Sequence, residues 1–329
     1  MRTRRAIVGL AVGACALVAG GTAANAAAPS ASGDAARPWR IVDLGLGDNS
    51  HADAINEHGH AVGSGAAGGF LWRRGSVTYL GHLPGHLTSQ PTDVNNRDEV
   101  VGYSIAVDGT SHAFLWRRGV MTDLGGLPGG DNSYAMAIND RGDIVGFSAG
   151  ASDNGELRAV RWHHGRMTVL ETPSDHSIAN DINNGGVIVG NAVFGEGIEG
   201  AAVRWRHNRI SRLATGLPTN ATAVNERGDI TGLAFGGRTH GFLWQRGRMV
   251  EIHPPHGSTF IQPYGINDRT QIVGSTDYFA FLWQSGRTIT LPRLAGTSEA
   301  RDINDRGQIV GSSAVNPNGL NPHAVLWTR

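Results

Sequence analysis

The sequence holds many groups that could bind a metal or act as a nucleophile, but its histidines and carboxylates show none of the known metal-binding spacings. It contains 14 histidines, one cysteine (Cys15) and no lysine, which excludes a Schiff-base lysine and a cysteine-based zinc site. The histidines form no His-Glu-x-x-His motif, and no Asp-x-Asp/Asn-x-Asp/Asn-Gly calcium loop is present. The sequence therefore predicts neither a bound metal nor a cofactor, and it indicates no catalytic residue.

One repeated position carries side chains of mixed chemistry, and it is the best candidate for a ligand site. It lies two residues before the Ile or Val of a recurring Ile/Val-Asn pair. Its members are Asp53, Thr92, Met136, Asn180, Thr222, Tyr264 and Arg301. Acidic, basic, amide and aromatic groups at equivalent places are typical of a binding surface. Unselected variation at a solvent-lined position would give the same pattern, so both interpretations stay open.

The elements that carry this position repeat seven times. The Ile/Val-Asn pair recurs every 37 to 44 residues, and a tryptophan follows in each unit. The asparagines are Asn56, Asn95, Asn139, Asn183, Asn225, Asn267 and Asn304, and the tryptophans are Trp72, Trp116, Trp162, Trp205, Trp244, Trp283 and Trp327. Each unit contains four short β-branched or apolar stretches separated by turns, which predicts the four-stranded blades of a β-propeller.

Two tight turns in each unit support this interpretation. The first follows the pattern Asn-x-x-Gly, with Asp98 and Thr270 replacing the glycine in two units. The second ends in glycine or, once, in Asn208, as expected for left-handed turn positions. The β-branched Thr270 is the residue that the pattern does not explain.

The ends of the chain predict how the ring closes. The seventh unit stops at Trp327-Thr328-Arg329 and lacks its fourth strand. Residues 39–45 resemble that strand, since they match Val120–Gly125 of the second unit. The sequence therefore predicts an all-β, seven-bladed propeller over 39–329, in which the N-terminal strand completes the last blade and removes an open sheet edge.

Two further sets of repeated residues point to structure rather than chemistry. A serine or threonine stands at the start of the first strand in six units, at Ser50, Ser89, Ser133, Ser177, Thr219 and Ser298. We expect these hydroxyl groups to make strand-entry hydrogen bonds. The repeated tryptophans end an apolar strand, so we expect them to pack between blades rather than to form an aromatic cage.

The repeated sequence motifs also resemble those of the HAF-repeat family of bacterial extracellular proteins. The resemblance rests on Ser111–Trp116, Met121–Gly130 and Ala137–Gly142, and it covers essentially 39–329. The histidine that gives the His-Ala-Phe motif of this family its first letter is present in three units, at His112, His240 and His323. This resemblance implies an exported repeat protein with a propeller-like fold. It implies no established activity, so it transfers no catalytic residue.

The N-terminus predicts export. Residues 1–26 combine three early arginines, an uncharged apolar run and the Ala24-Asn25-Ala26 cleavage pattern of a signal peptide. Thr3–Val8 also resembles a twin-arginine signal, so both the general secretory route and the twin-arginine route stay open. Residues 27–38 read as a short disordered leader. We therefore expect a secreted monomer that has no membrane segment after signal removal.

Charge and loop variation limit the function. A formal net charge of zero with 17% charged residues argues against a nucleic-acid partner. The connections between second and third strands differ in length, so the rim that they share with the fourth-to-first connections, the variable rim, is the expected binding face. We expect a non-catalytic binding or scaffold module for an extracellular protein or carbohydrate. The alternative is a hydrolase or lyase acting on polysaccharide, which a cluster of carboxylates or histidines with shifted pKa values in the channel would favour.

Overall fold

Seven four-stranded antiparallel sheets form the protein, so the predicted seven-bladed β-propeller is confirmed. The computed structural model describes residues 38–150, 156–195, 200–213, 216–236, 238–255 and 257–329. The predicted signal peptide and nearly all of the predicted leader lie outside the described residues. No helix of the described part is long and apolar enough to cross a membrane.

The strands follow one another in the chain blade by blade, except for the first. Blades 1 to 3 follow β1 (Arg40–Asp43) and consist of β2 (His51–Ile55), β3 (Ala61–Gly65), β4 (Gly68–Arg73), β5 (Ser76–Tyr79), β6 (His86–Val94), β7 (Val100–Ala106), β8 (Ser111–Arg117), β9 (Val120–Asp123), β10 (Ser133–Ile138), β11 (Ile144–Ala149), β12 (Leu157–His163) and β13 (Arg166–Val169).

Blades 4 to 7 repeat this arrangement. They consist of β14 (Ser177–Ile182), β15 (Ile188–Val193), β16 (Gly200–Arg206), β17 (Arg209–Arg212), β18 (Thr219–Val224), β19 (Ile230–Gly236), β20 (Arg238–Gln245), β21 (Arg248–Ile252), β22 (Ile261–Ile266), β23 (Ile272–Thr276), β24 (Ala280–Gln284), β25 (Arg287–Thr290), β26 (Ser298–Ile303), β27 (Ile309–Ala314) and β28 (Pro322–Thr328). The first strands of neighbouring blades contact one another all the way around the ring, so these strands surround the central channel.

The N-terminal strand closes the ring as predicted. β1 pairs antiparallel with β28, and Arg40 lies opposite Thr328. His323 on β28 contacts Oδ2 of Asp43 at 2.6 Å through Nδ1 and Oδ1 of Asp48 at 2.9 Å through Nε2. These two side-chain contacts, which we call the His323 clasp, add to the backbone pairing that joins the two ends of the propeller.

Apolar side chains pack between neighbouring blades and hold them together. The core includes six of the seven repeated tryptophans, which are at most 9% exposed, so the predicted packing of these six is confirmed. Trp244 is only half-buried, but it also packs against the apolar cluster that blades 4 and 5 share. The apolar clusters draw residues from adjacent blades, as where Trp205 of blade 4 packs with Ala159 and Leu170 of blade 3. Burial of these faces fixes each blade against the next.

Both tight turns use the left-handed backbone that the sequence predicts. Asn208 has φ of 63° in the second turn, and the preceding His207 also has positive φ, as in the type I′ turns that join twisted antiparallel strands. In the first turn, Asp98 and Thr270 have φ of 57° and 55° where other blades have glycine. The Oγ1 of Thr270 accepts a hydrogen bond from Arg227 of the preceding blade at 2.9 Å, which helps to explain its presence.

The repeated hydroxyl groups have the structural function that we expected. In five blades the hydroxyl oxygen accepts a hydrogen bond of 2.9 or 3.0 Å from an alanine N–H on the third strand of the preceding blade. The alanine directly follows the repeated histidine in blades 2 and 7, in His112-Ala113-Phe114 and His323-Ala324-Val325. Ser89 differs, because its hydroxyl donates to the carbonyl oxygen of Gly81.

Candidate functional site

A β-bulge interrupts the first strand of every blade, and the seven candidate residues occupy these bulges. In each strand pair the register shifts across one residue, which is left without a partner on the second strand. The unpaired residues are Asp53, Thr92, Met136, Asn180, Thr222, Tyr264 and Arg301. All seven are half-buried and lie on the innermost strands, so the structure places them in one ring around the channel.

The glycine of the second strand makes this bulge possible. It lies opposite the residue before the bulge, as Gly146 lies opposite Ala135. A Cβ on Gly146 would stand 1.9 Å from the carbonyl oxygen of Tyr134, and the equivalent glycines of the other six blades are equally close to a backbone oxygen. Any larger residue would push the two strands apart. The glycine of the Ile-Val-Gly motif therefore allows the β-bulge that positions each residue of the channel ring.

Three ring residues tie neighbouring blades together. Thr92 Oγ1 donates to the carbonyl oxygen of Ala135 at 2.8 Å. Thr222 Oγ1 donates to that of Pro263 at 3.2 Å. Asn180 Nδ2 donates to the carbonyl oxygen of Ala221 at 2.7 Å. In each case the acceptor lies on the next blade, beside its bulge. These side chains therefore stabilise the ring as well as facing the channel.

Charged and aromatic groups meet where blades 6, 7 and 1 adjoin, and we call this set the channel cluster. It consists of His51, Asp53, Tyr264, Glu299 and Arg301. The guanidinium of Arg301 lies 3.0 Å from Oε2 of Glu299 and 4.7 Å from the centre of the Tyr264 ring. His51 Nε2 lies 3.4 Å from Oδ2 of Asp53. The structure therefore brings together three of the predicted ring residues and two residues that the sequence did not single out.

The electrostatics of the channel cluster depend on burial. Burial raises the pKa of Asp53, while His51 and Arg301 oppose this rise. Burial and the charge of Glu299 raise the pKa of Tyr264, so its hydroxyl keeps its proton and can donate a hydrogen bond. The Nε atom of Arg301 is buried and has no hydrogen-bond partner within the described residues. An unpaired buried donor is costly, so this cluster has unused capacity to bind.

Aromatic side chains of blades 2 and 3 form a further wall of the channel, next to blade 1. The rings of Tyr103 and Tyr134 meet edge to face with centres 4.9 Å apart, and Tyr134 stacks on Phe147 at 4.7 Å. Burial raises the pKa of Tyr103, with smaller contributions from Tyr134 and Asp53. Nearby, Ser64 Oγ donates to Oε1 of Gln90 at 2.7 Å. This wall thus offers flat apolar faces beside hydroxyl and amide groups.

Directly after the ring residues on the first strands, three aspartates bridge the bulges of neighbouring blades. Asp93, Asp181 and Asp302 each directly follow a ring residue. Each accepts a hydrogen bond from the next residue's N–H and one from an N–H on the following blade. Because each carboxylate serves two blades, three of them serve six. Blade 6 has Gly265 here, and a Cβ on it would lie 3.0 Å from Oδ1 of Asp302.

Burial dominates the titration of these three aspartates. It raises the pKa of Asp181 to about 7 and that of Asp302 to about 6, although their backbone hydrogen bonds oppose the rise. The pKa of Asp93 is also well above its usual range, because of burial and the charges of Asp181 and Asp302. The sequence signal for these residues was an aspartate directly after the ring position in three of the seven repeats.

At the rim of tight turns, two complete rings of hydrogen bonds join the blades. Each repeated asparagine donates from Nδ2 to the carbonyl oxygen of the next one, from Asn56 to Asn95 and finally from Asn304 back to Asn56. In the second ring, the N–H of each following residue donates to the side-chain oxygen of its counterpart on the next blade. The sequence showed these asparagines only as turn residues.

The second ring also makes this end of the channel acidic. Five of its seven members are carboxylates: Glu57, Asp140, Glu226, Asp268 and Asp305. Burial, followed by neighbouring carboxylates, raises the pKa of Glu57, Glu226 and Asp268. Within the part of the chain that the structure describes, no group of three or more histidine, cysteine, aspartate or glutamate residues could hold a metal ion.

The comparisons with known proteins identify a fold but no family. No family model matches the chain, and no curated protein matches it either. Among solved structures, YCF48 bound to D1 peptide has a TM-score of 0.54 at 12% identity, over 89% of this chain and 96% of that one. TolB from Acinetobacter baumannii has a TM-score of 0.50 at 12% identity, over 76% of this chain and 65% of that one.

A third similar structure belongs to an enzyme. The acylaminoacyl peptidase of Pyrococcus horikoshii has a TM-score of 0.51 at 11% identity, over 74% of this chain and 45% of that one. The chain therefore spans about two thirds of the TolB chain and less than half of the peptidase chain. At these identities the likeness indicates a propeller fold and carries no function with it.

Proposed function

We propose that the protein is an exported binding module whose ligand enters the channel from the variable rim and binds at the channel cluster. The observation that carries this proposal is the convergence of Asp53, Tyr264 and Arg301 with Glu299 around a buried, unpartnered guanidinium N–H. The bulges and the ties between blades hold these groups on a rigid frame. Such preorganisation reduces the ordering cost of binding.

The chemistry of the channel favours a carbohydrate ligand. Hydroxyl groups of a sugar both donate and accept hydrogen bonds, so they suit a site in which Glu299 accepts while Arg301 and Tyr264 donate. The apolar face of a sugar ring fits the aromatic wall formed by Tyr103 and Tyr134. A peptide is the competing ligand, since the similar structure of YCF48 contains a bound D1 peptide.

Titration with a panel of neutral and acidic hexasaccharides tests this proposal, with unrelated hexapeptides as the competing ligand class. The informative variant is Arg301→Thr, because threonine occupies the same ring position in blades 2 and 5. We expect it to weaken binding at least about tenfold by removing a charged hydrogen-bond donor. The matched control is Met136→Thr, which places the same residue in the ring outside the channel cluster, and we expect an affinity within about threefold of the native chain.

Two results would contradict the proposal. One is the absence of saturable binding by any hexasaccharide. The other is an equal loss of affinity in both variants, which would mean that the change affects the ring in general rather than the channel cluster. Saturable binding of hexapeptides alone would replace carbohydrate by peptide as the ligand class.

A polysaccharide hydrolase or lyase is the second candidate, and the pKa of Asp53 specifically favours it. A carboxyl group whose pKa is raised by burial is suited to general acid catalysis, and Glu299 supplies a second carboxylate beside Arg301. New reducing ends or unsaturated products, measured after incubation with the same hexasaccharides, test this candidate. We expect Asp53→Asn to abolish turnover while binding persists. Bound hexasaccharides that stay intact would exclude it for those substrates.

A further inference from the structure

A pocket between blades 4 and 5 lies at the rim of tight turns, away from the variable rim. Its volume is about 470 Å³, and four arginines line it together with Asp229 and Trp244. The arginines are Arg204, Arg206, Arg227 and Arg246. We call this cavity the arginine pocket. A concentration of four guanidinium groups is unusual in a chain whose formal net charge is zero.

Blade 4 lacks the carboxylate that pairs with the equivalent cationic groups in blades 2 and 3. In blade 3, Asp143 lies four residues after the repeated asparagine and contacts both Arg161 and His163, at 2.6 and 2.5 Å. In blade 2, Glu99 has the same position and lies 3.8 Å from Arg117. The residue at this position in blade 4 is Val187, which is buried in the apolar core.

Arg204 and Arg206 are therefore left without a counter-charge. Neither has an ion pair among the residues that the structure describes. The Nε atom of Arg204 is buried and unpartnered, and so is Nε1 of Trp244. The guanidinium of Arg204 lies 5.3 Å from the centre of the Trp244 ring. Burial and the charge of Arg206 lower the pKa of Arg204, with no carboxylate opposing them.

The other groups of the pocket do not supply the missing charge. Asp229 accepts a hydrogen bond from Gln245 Nε2 at 2.9 Å and lies 3.9 Å from Arg227 Nε. Arg227 also donates to Thr270 Oγ1 at 2.9 Å. Asp229 is thus engaged by groups of blades 5 and 6, since Thr270 Oγ1 also donates to it at 3.3 Å. In blade 5, Gln245 replaces the arginine found at the equivalent position, Arg206, of blade 4. The positive charge of blade 4 faces the pocket unopposed.

We propose that the arginine pocket binds a tetrahedral oxyanion, the sulfate or phosphate ester group of a small ligand. Guanidinium groups present paired N–H donors that match the oxygens of such anions, and stacking on an aromatic ring leaves those donors free at the edge. An anion in the pocket would supply Arg204 and Arg206 with the charge that Asp143 supplies to Arg161. The site is independent of the proposed function at the variable rim.

Calorimetric titration at constant ionic strength tests the proposal, with methyl phosphate and methyl sulfate as probes and acetate for comparison. We expect saturable binding of at least one ester and a preference of at least about fivefold over acetate, because acetate is a planar monoanion. A stronger affinity for methyl phosphate would indicate a phosphate ligand, and a stronger affinity for methyl sulfate would indicate a sulfate ligand.

Three variants place residues of other blades in blade 4. We expect Val187→Asp to reduce affinity at least about tenfold, because the new carboxylate would occupy both arginines as Asp143 does in blade 3. Arg206→Gln installs the residue that blades 5 and 6 have, and Arg204→Leu installs that of blades 1, 2, 5, 6 and 7. We expect each of these two to weaken binding about five- to tenfold by removing one charged donor.

The control variant is Arg166→Gln, which removes the same charge from an exposed position on β13. We expect its affinity to stay within about twofold of the native value. The proposal is overturned if neither ester binds saturably to the native chain, or if Arg206→Gln and Val187→Asp bind as tightly as the control. Arg206 is exposed, so that variant keeps the test valid even if a change at buried Val187 impairs folding.

Discussion

The two ends of the channel are built on opposite plans. At the rim of tight turns the same residue types recur in all seven blades, and their side chains hydrogen-bond from blade to blade in closed rings. At the bulges the seven side chains differ, and only three of them tie neighbouring blades. Repetition therefore marks the groups that hold the ring together, while divergence marks the groups that are free to bind.

Ring closure should have the largest effect on this scaffold. A chain that starts at Gly47 lacks β1 and exposes the edge of β28, so we expect it to aggregate or to melt at least about 10 °C lower. The control is a chain that starts at Pro38, which keeps β1 intact. Thermal unfolding of the two chains measures the difference, and equal melting temperatures would disprove the closure.

A matched pair of substitutions on β10 and its turn compares the hydrogen-bonded asparagines with the bulge residues directly. Asn139→Ala removes the Nδ2 donor to Asn183 O and the Oδ1 acceptor for the N–H groups of Arg141 and Asp143. We expect a loss of about 3 kcal/mol in the free energy of unfolding, because buried partners stay unpaired. Met136→Ala, three residues earlier in the bulge, should cost about 1 kcal/mol. Denaturant unfolding tests the ranking, and equal losses would contradict the comparison.

The channel aspartates should make the stability depend on pH. The pKa of Asp181 is about 7 and that of Asp302 about 6 in the folded protein, above the usual value of 3.8. The folded state therefore holds more protons than the unfolded state between these values, so stability should fall as pH rises from 4 to 8. We expect a contribution on the order of 1 kcal/mol after solvent screening.

Denaturant midpoints at pH 5 and pH 8 measure this dependence. The variant Asp181→Ala uses the residue found at this place in blades 1, 3 and 5. It should be less stable at both pH values because it leaves two backbone N–H groups unpaired, but its midpoint should change less between them. An unchanged pH dependence would show that Asp181 does not titrate in this range.

The His323 clasp should have the smallest effect, and its stabilisation should also fall as pH rises. Its contacts with Asp48 and Asp43 outweigh burial and raise the pKa of His323 above 6.5. The stabilisation is therefore complete below pH 6.5 and is lost as pH rises through the raised folded value. We expect His323→Gln to cost about 0.5–1 kcal/mol at pH 6 and almost nothing at pH 9.

The His112→Gln variant sharpens the last prediction. His112 contacts Asp123 at 2.9 Å within one blade, whereas His323 joins the two ends of the chain and contacts two carboxylates. We expect a smaller loss at pH 6 than for His323→Gln, measured by the same unfolding titrations. An equal or larger loss would mean that the clasp contributes nothing beyond an ordinary surface pair.

Much of the fold was predictable because each repeat contains the strand and turn patterns of one blade. The number of blades follows from counting the repeats, and the closure follows from the likeness of residues 39–45 to a fourth strand. The positive φ at Asn208 follows from the residue types of the turn. The bulges and hydrogen-bond rings could not be predicted in the same way, because they join residues 37 to 45 positions apart, or 248 at the closure. Their partners become known only when the blades are placed side by side.

The candidate site was therefore only partly predictable. Divergence identified Asp53, Tyr264 and Arg301 but gave no means of separating them from Thr92 or Asn180, whose side chains tie blades. Glu299 and His51 were missed because they stand at a position with no repeated pattern of its own. Val187 looked like an ordinary apolar residue, and its significance appears only beside Arg204, which lies on the adjacent hairpin.

The direction of the hydrogen-bond rings has a consequence for how the chain can be cut. Every bond runs from one repeat to the next in the same sense, so no repeat is first or last. Arg40 lies opposite Thr328, so a short peptide could join Arg329 to Pro38 at the start of the propeller. A circularly permuted chain opened between blades 1 and 2 should then fold to the same propeller, and a gene assembled by tandem duplication could have begun at any of the seven units.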